Sequence, residues 1–157
     1  MANTPNKIIV HHSAAAKPTP QFEAINKWHK ERGFLISSLG YYVGYHYVIE
    51  KDGTVRKAKE EHEEGCHTIG QNLSSIGVCL AGNFDIEAPT KEQVAALGPL
   101  LSGLCTRYDI VAWQILPHRR FTNKSCYGSK LKDQWAALAY LDYEINRLEI
   151  LRSALAT

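Results

Sequence analysis

The chain has 157 residues, of which 45% are hydrophobic and 22% are charged, and its formal net charge is +2 at pH 7. A chain of this size and composition is expected to form one domain with its own core. The sequence lacks an apolar run of about eighteen residues, the length that a transmembrane helix needs. The weak positive charge argues against nucleic acid as a partner, since such proteins usually carry a strongly basic patch.

The first residues, MANTPNK, are polar and lead directly into an apolar run. They lack the basic start and apolar stretch of a signal peptide, so we expect synthesis in a cytoplasm. Four cysteines are few for this length, and a reducing compartment predicts no disulfides. We assign Cys79 and Cys105 to the core and keep Cys126 as a candidate metal ligand.

Short apolar runs alternate with amphipathic stretches along the chain. Strands are predicted at residues 7–12, 45–50, 54–58, 75–81 and 112–116. Residues 51–53 (KDG) favour a hairpin turn between the second and third of these. The order predicts an α/β fold in which a central mixed sheet is flanked by helices.

Three helices are predicted from their periodicity and end signals. The first begins with Thr19 as N-cap and Pro20 at the first helical position, places Phe22, Ile25 and Trp28 near helical spacing, and ends at Gly33. The second opens with a capping box over residues 90–93.

The third predicted helix is long and covers residues 131–155. A heptad-like stripe along it contains five apolar residues: Leu138, Leu141, Ile145, Leu148 and Leu155. We expect the start of this stripe to contact the core. The part beyond about residue 145 is either a partner face or an extension, so we divide the single domain, residues 1–157, into a core of about 7–145 and a helical extension of about 146–157.

Residues 117–128 (PHRRFTNKSCYG) lack a hydrophobic period and are predicted to form a loop. This loop holds His118 and Cys126, with Lys124 two residues before the cysteine. A histidine and a thiolate suit zinc, although a surface histidine and a buried free cysteine are the simpler interpretation of the pair alone. The zinc hypothesis needs a third ligand, which His11 could supply from the end of the first strand.

Several stretches together resemble the type 2 N-acetylmuramoyl-L-alanine amidases, a family that includes bacteriophage lysozyme-type amidases and the peptidoglycan recognition proteins. The matching stretches, in chain order, are residues 10–14 (VHHSA), 43–49 (VGYHYVI), 51–55 (KDGTV), 67–80 (with His67, Asn72 and SIGVCL) and 118–126 (with His118 and KSC). Residues 28–31 (WHKE) also look like the phage branch. One departure is Tyr127–Gly128 after the last cysteine, where many relatives have Pro-Gly.

The resemblance implies one zinc ion held by His11, His118 and Cys126, with water in the fourth position. It also implies hydrolysis of the amide bond between N-acetylmuramic acid and L-alanine, so that bacterial peptidoglycan is the expected partner. Tyr45 and Lys124 would be the catalytic residues of this reaction.

Four further residues are predicted to bind substrate: His67, Asn72, Arg119 and Arg120. The arginines would attract peptide carboxylates. The other histidines are not expected to bind the metal. His12 should point away from His11 and either support a ligand or pack in the core, and His46 should point away from Tyr45 and be structural. His29 and His62 are expected on the surface.

We expect a phage-type endolysin that works as a monomer, is made in the host cytoplasm and acts on the cell wall after release. A cytoplasmic wall-recycling amidase is the first alternative, but that branch typically has Asp as third ligand and a carboxylate in place of Tyr45. A non-catalytic peptidoglycan-binding module is the second, although such relatives usually lack the cysteine ligand. A second role in inhibiting an RNA polymerase is left open, because no motif here tests it.

Overall fold

The structure, a computed structural model, describes residues 1–18 and 20–157. Within these residues, five strands form one sheet: β1 (Lys7–His12), β2 (Tyr47–Ile49), β3 (Val55–Lys57), β4 (Ser75–Leu80) and β5 (Ile115–Pro117). The three α-helices are α1 (Phe22–Glu31), α2 (Lys91–Tyr108) and α3 (Trp135–Leu155). The predicted fold class, an α/β domain with a mixed sheet and a long last helix, is confirmed.

The strand order in the sheet is β3-β2-β4-β1-β5. Strand β1 lies between β4 and β5 and is parallel to both, with His11 opposite Cys79 and Val10 opposite Pro117. Strand β3 pairs antiparallel with β2, as the predicted hairpin requires. The register brings His11, next to last in β1, close to His118, which directly follows β5.

The two faces of the sheet carry separate cores, because successive residues of a strand point to opposite sides. Ile8 and Val10 of β1 belong to the larger core under α2 and α3. Val48 and Cys79 face the other side, where Phe22 of α1 covers them. The side chain of His11 alternates with that of Val10 and therefore lies on the α1 side of the sheet.

The start of α1 is held by a carboxylate from another part of the chain. Glu50 is buried and accepts hydrogen bonds from the backbone N–H groups of Gln21, at 2.9 Å, and Phe22, at 2.8 Å. An acceptor at this position satisfies N–H groups that have no partner inside the helix. The predicted N-cap, Thr19, lies outside the described residues. The capping box predicted for α2 is confirmed at Thr90 and Gln93.

Several predicted element boundaries were wrong. Helix α1 begins at Phe22 with Gln21 as N-cap, so Pro20 is not its first residue. The second strand begins at Tyr47, so residues 45 and 46 precede it. The stretch predicted as a strand at 112–116 starts with a short 3-10 helix, Ala112–Gln114, before β5. The last helix begins at Trp135 rather than at residue 131, because the preceding residues form turns around Tyr127.

The apolar stripe of α3 does not contact the core at its start, contrary to the prediction. Leu138 is 52% exposed and Leu141 is 39% exposed. Helix α3 instead packs on α2 through its opposite side, where a Cβ at Gly98 would lie 2.7 Å from Tyr143. Both sides of α3 carry apolar side chains, and the close approach at Gly98 determines which side is covered.

Among the described residues, no helix has the length and apolar character that a bilayer crossing requires.

Candidate metal centre

Three side chains that are distant in sequence converge on one point. One donor atom from each of His11, His118 and Cys126 lies within 4.8 Å of the other two. Over residues 1–18 and 20–157, this is the one group of His, Cys, Asp or Glu side chains that is close enough to hold a metal ion. The Sγ atom of Cys126 is 3.8 Å from Nδ1 of His11. The ring centroids of His11 and His118 are 4.3 Å apart. Two imidazoles and a thiol at these distances fit a zinc ion, and three protein ligands are typical of a catalytic site.

The local backbone explains how the three candidate ligands meet. His11 is fixed in β1, and His118 begins a single 3-10 turn, His118–Arg120, directly after β5. The loop then returns, and the backbone N–H of Arg119 donates a hydrogen bond to the carbonyl oxygen of Cys126. This contact closes the loop and places the cysteine beside the end of β1.

The protonation of the three side chains follows from their burial. Burial, reinforced by the neighbouring His67 and His118, lowers the pKa of His11 well below its usual value. Burial and the charge of Lys124 lower the pKa of His118 to about 4. Burial raises the pKa of the Cys126 thiol to about 12. Both imidazoles are therefore neutral and able to bind metal at pH 7, whereas Cys126 must release a proton to become a ligand.

An open cleft of about 450 Å³ lies in front of these donors. Its lining includes the two predicted catalytic residues, Tyr45 and Lys124, together with Trp28, His67 and Asp85. The Tyr45 ring is 4.9 Å from the His11 ring, centroid to centroid, and burial raises the tyrosine's pKa well above its ordinary value. Tyr45 therefore remains a hydrogen-bond donor, and the exposed Lys124 adds a cation at the rim.

His67 lies beside His11, with its Nδ1 atom 3.0 Å from Nε2 of His11. Asn72 uses its side-chain oxygen within the chain, where it accepts hydrogen bonds from the backbone N–H groups of His67 and Thr68. Asn72 thus shapes the loop that carries His67. The substrate contacts predicted for His67 and Asn72 remain predictions.

The two predicted substrate-binding arginines have different surroundings. Arg119 donates hydrogen bonds to Asp133, at 2.6 Å, and to the carbonyl oxygens of Gly128 and Leu131. Its guanidinium therefore stabilises the loop behind the candidate metal centre. Arg120 lines a different cleft, beside Trp113. Neither arginine lines the cleft in front of the donors, and their substrate contacts also remain predictions.

The other histidines have structural surroundings. Nδ1 of His12 accepts a hydrogen bond from the backbone of Phe84, and Nδ1 of His46 accepts one from Gly77. The assignment of His29 to the surface was wrong, since it is 3% exposed and its Nδ1 accepts from the backbone N–H of Gly44. His29 lies seven residues after Phe22, the other buried residue of α1, and this spacing could have revealed it.

Trp28 and Asp85 were not predicted as residues of the site. Trp28 was placed with Phe22 and Ile25 only by helical spacing; it is 53% exposed and lines the cleft. The match of residues 28–31 to the phage branch was the available signal for it. The carboxylate of Asp85 accepts hydrogen bonds from the Ser125 hydroxyl and the Ser129 backbone, and so fixes the loop around Cys126.

Comparison with known proteins identifies the family. The family model described as N-acetylmuramoyl-L-alanine amidase matches residues 1–129. The chain belongs to this amidase family. The endolysin of Escherichia phage T7 is 35% identical over 131 residues, which cover 79% of this chain and 82% of the phage protein.

Solved structures agree with the family assignment. The N-acetylmuramoyl-L-alanine amidase LysC from Clostridium intestinale URNW superposes with a TM-score of 0.71 at 32% identity, covering 82% of this chain and 80% of that protein. The Drosophila peptidoglycan recognition protein SD shares the fold, with a TM-score of 0.71 at 21% identity and coverage of 88% and 83%. The resemblance inferred from the sequence motifs is therefore confirmed for family and fold.

Proposed function

We propose that the chain is a peptidoglycan amidase of the endolysin type, which hydrolyses the bond between N-acetylmuramic acid and L-alanine with the help of one zinc ion. The observation that carries this proposal is the convergence of His11, His118 and Cys126 in front of an open cleft. Membership in the amidase family and the likeness to phage endolysins support it.

The donor set fits zinc because it combines two neutral imidazoles with one thiol and includes no fourth His, Cys or carboxylate among the described residues. When bound to these side chains, zinc would supply a Lewis acid that activates water near neutral pH. Asp85 and Arg119 hold the loop on which two of the three ligands lie. These contacts would keep the ligands in place during turnover.

Tyr45 and Lys124 are suited to stabilise the negative charge that develops on the scissile carbonyl oxygen. The Tyr45 hydroxyl stays protonated at neutral pH because burial raises its pKa, so it can donate a hydrogen bond to that oxygen. Lys124 lines the same cleft and brings a positive charge to its rim. Donors already in position for developing charge lower the barrier more than donors that must first reorganise.

Two alternatives are less well supported. A non-catalytic peptidoglycan-binding module has no need of a third metal ligand, yet Cys126 lies with both histidines. A wall-recycling amidase would be expected to carry a carboxylate where Tyr45 stands. The working unit would be a monomer, because His11, His118 and Cys126 complete the donor set without a residue from a second copy. The likeness to phage endolysins supports synthesis in the host cytoplasm and action on the wall after release.

The test is to incubate the purified chain with purified peptidoglycan and count the new chain ends. We expect new L-alanine amino groups without new reducing sugar ends, loss of the activity with a chelator, and its return with zinc. A Cys126→Ser variant should be inactive, whereas a variant at an exposed distant histidine, His62→Ala, should keep full activity. New reducing ends without amino ends would show that the chain is a glycosidase.

A further inference from the structure

The imidazole ring of His67 occupies a slot between two glycines. A Cβ at Gly65 would lie 2.5 Å from Cδ2 of His67, and a Cβ at Gly77 would lie 2.6 Å from the same atom. Neither glycine has the positive φ that would by itself favour glycine. Because contacts this short do not occur, both positions must lack a side chain for the ring to lie where it does.

The hydrogen bonds around this ring determine where its protons lie. Nδ1 of His11 faces Cys126, at 3.8 Å, and must keep its lone pair free to bind metal. In a neutral imidazole the proton is then on Nε2, which lies 3.0 Å from Nδ1 of His67. Nδ1 of His67 must accept this hydrogen bond, so that its own proton is on Nε2.

The chain of hydrogen bonds ends at a backbone carbonyl. Nε2 of His67 lies 3.4 Å from the Ser75 hydroxyl oxygen, and this hydroxyl donates to the carbonyl oxygen of Gln71 at 2.7 Å. A backbone carbonyl only accepts, so the direction of donation is fixed from His11 through His67 and Ser75 to Gln71. The Thr68 hydroxyl is 3.0 Å from Nδ1 of His67, as near as Nε2 of His11, and 3.5 Å from Nε2 of His11, so it competes for the same nitrogen atom.

We propose that His67 is a positioning residue, which holds His11 in the tautomer and ring orientation that turn Nδ1 toward Cys126 and His118. This proposal rests on the metal site of the proposed function. His67 would then orient a metal ligand, in addition to any contact with substrate. A hydrogen-bond acceptor behind a histidine ligand commonly strengthens metal binding by ~10–100-fold.

The test compares three substitutions of His67 by their zinc affinity, measured by competition with a chromophoric chelator. His67→Ala removes the acceptor, and the dissociation constant for zinc should rise ~10–100-fold. His67→Asn places an amide oxygen near the position of Nδ1 and should restore most of the affinity. His67→Gln carries its amide further out, near the position of Nε2, and should not. The exposed His62→Ala variant is the control and should bind zinc as the parent does.

A second measurement needs no enzymatic activity. Two-bond ¹H–¹⁵N correlation spectra of the metal-free chain should show the proton of His11 on Nε2 and a bare Nδ1, and His67→Ala should mix the two tautomers. The proposal is overturned if His11 carries its proton on Nδ1, if His67→Ala leaves zinc affinity unchanged, or if Thr68→Val weakens zinc binding more than His67→Ala. Because both readouts are independent of turnover, a chain without amidase activity would refute the proposed function and still test this one.

Discussion

Replacing Gly77 by alanine should displace the His67 ring and weaken the metal centre. The added Cβ would lie 2.6 Å from Cδ2 of His67, and ordinary contact begins at 3.4 Å, so the ring must move by about 0.8 Å. The backbone of Gly77 cannot yield easily, because β4 lies between β1 and β2. Nδ1 of this ring makes the 3.0 Å contact with Nε2 of His11, so a shift of this size would disrupt that hydrogen bond.

Two effects follow, and they can be measured separately. Overpacking should lower the free energy of unfolding of the metal-free chain by about 1–3 kcal/mol, measured by urea denaturation. Loss of the His67 contact should raise the dissociation constant for zinc by ~10–100-fold. The control is Gly103→Ala in α2, where no atom lies within 4 Å of the added Cβ, and stability should rise by about 0.5–1 kcal/mol.

A double-mutant cycle identifies the ring as the cause. In a His67→Ala background the three atoms nearest to the Cβ of the alanine at position 77 are absent, so most of its penalty in stability and in zinc affinity should disappear. If Gly77→Ala costs as much without the imidazole as with it, the clash lies elsewhere and the reasoning is refuted.

Three further predictions test other parts of the structure. Tyr45→Phe and Lys124→Ala should each lower kcat on peptidoglycan by ~10²–10³ with zinc content unchanged, and a parallel loss of zinc would show that they support the metal instead. Between pH 6.5 and pH 4 the chelator-treated chain should lose thermal stability as the pH falls. Burial lowers the pKa of His29, His46 and His118 to about 4 in the folded chain, so the unfolded chain binds more protons over this range. A Tm that stays constant over this range would contradict those buried environments. Glu50→Gln should lower the free energy of unfolding by about 1–3 kcal/mol through loss of its charged contacts at the start of α1, and an unchanged urea midpoint would show that this cap is dispensable.

Most of the sheet could be predicted because its strands carry strong local signals. The run at residues 7–12 is β-branched and apolar, and the structure has β1 over the same residues. The loop at residues 117–128 could be identified as the site of Cys126 from its motif. The strand order brings His118 and Cys126 close to His11. The family resemblance predicted this proximity, whereas periodicity carries no information on strand order.

The helix faces could not be assigned from periodicity alone. The stripe on α3 that begins at Leu138 is as regular as one facing a core, yet Gly98 lets α2 approach the other side at Tyr143. In α1 the apolar spacing included Trp28, which is 53% exposed, and it did not include His29, which is buried. His29 is polar and is buried because a distant backbone N–H binds it, so only its seven-residue spacing from Phe22 could indicate it.

The zinc content of the purified chain tests the central claim most directly, since the proposed chemistry depends on one metal ion held by His11, His118 and Cys126. Elemental analysis by plasma mass spectrometry should find one zinc per chain in the parent and in His62→Ala, and far less in Cys126→Ser. Full zinc occupancy in Cys126→Ser, or no metal in a parent chain that still cleaves peptidoglycan, would contradict the account.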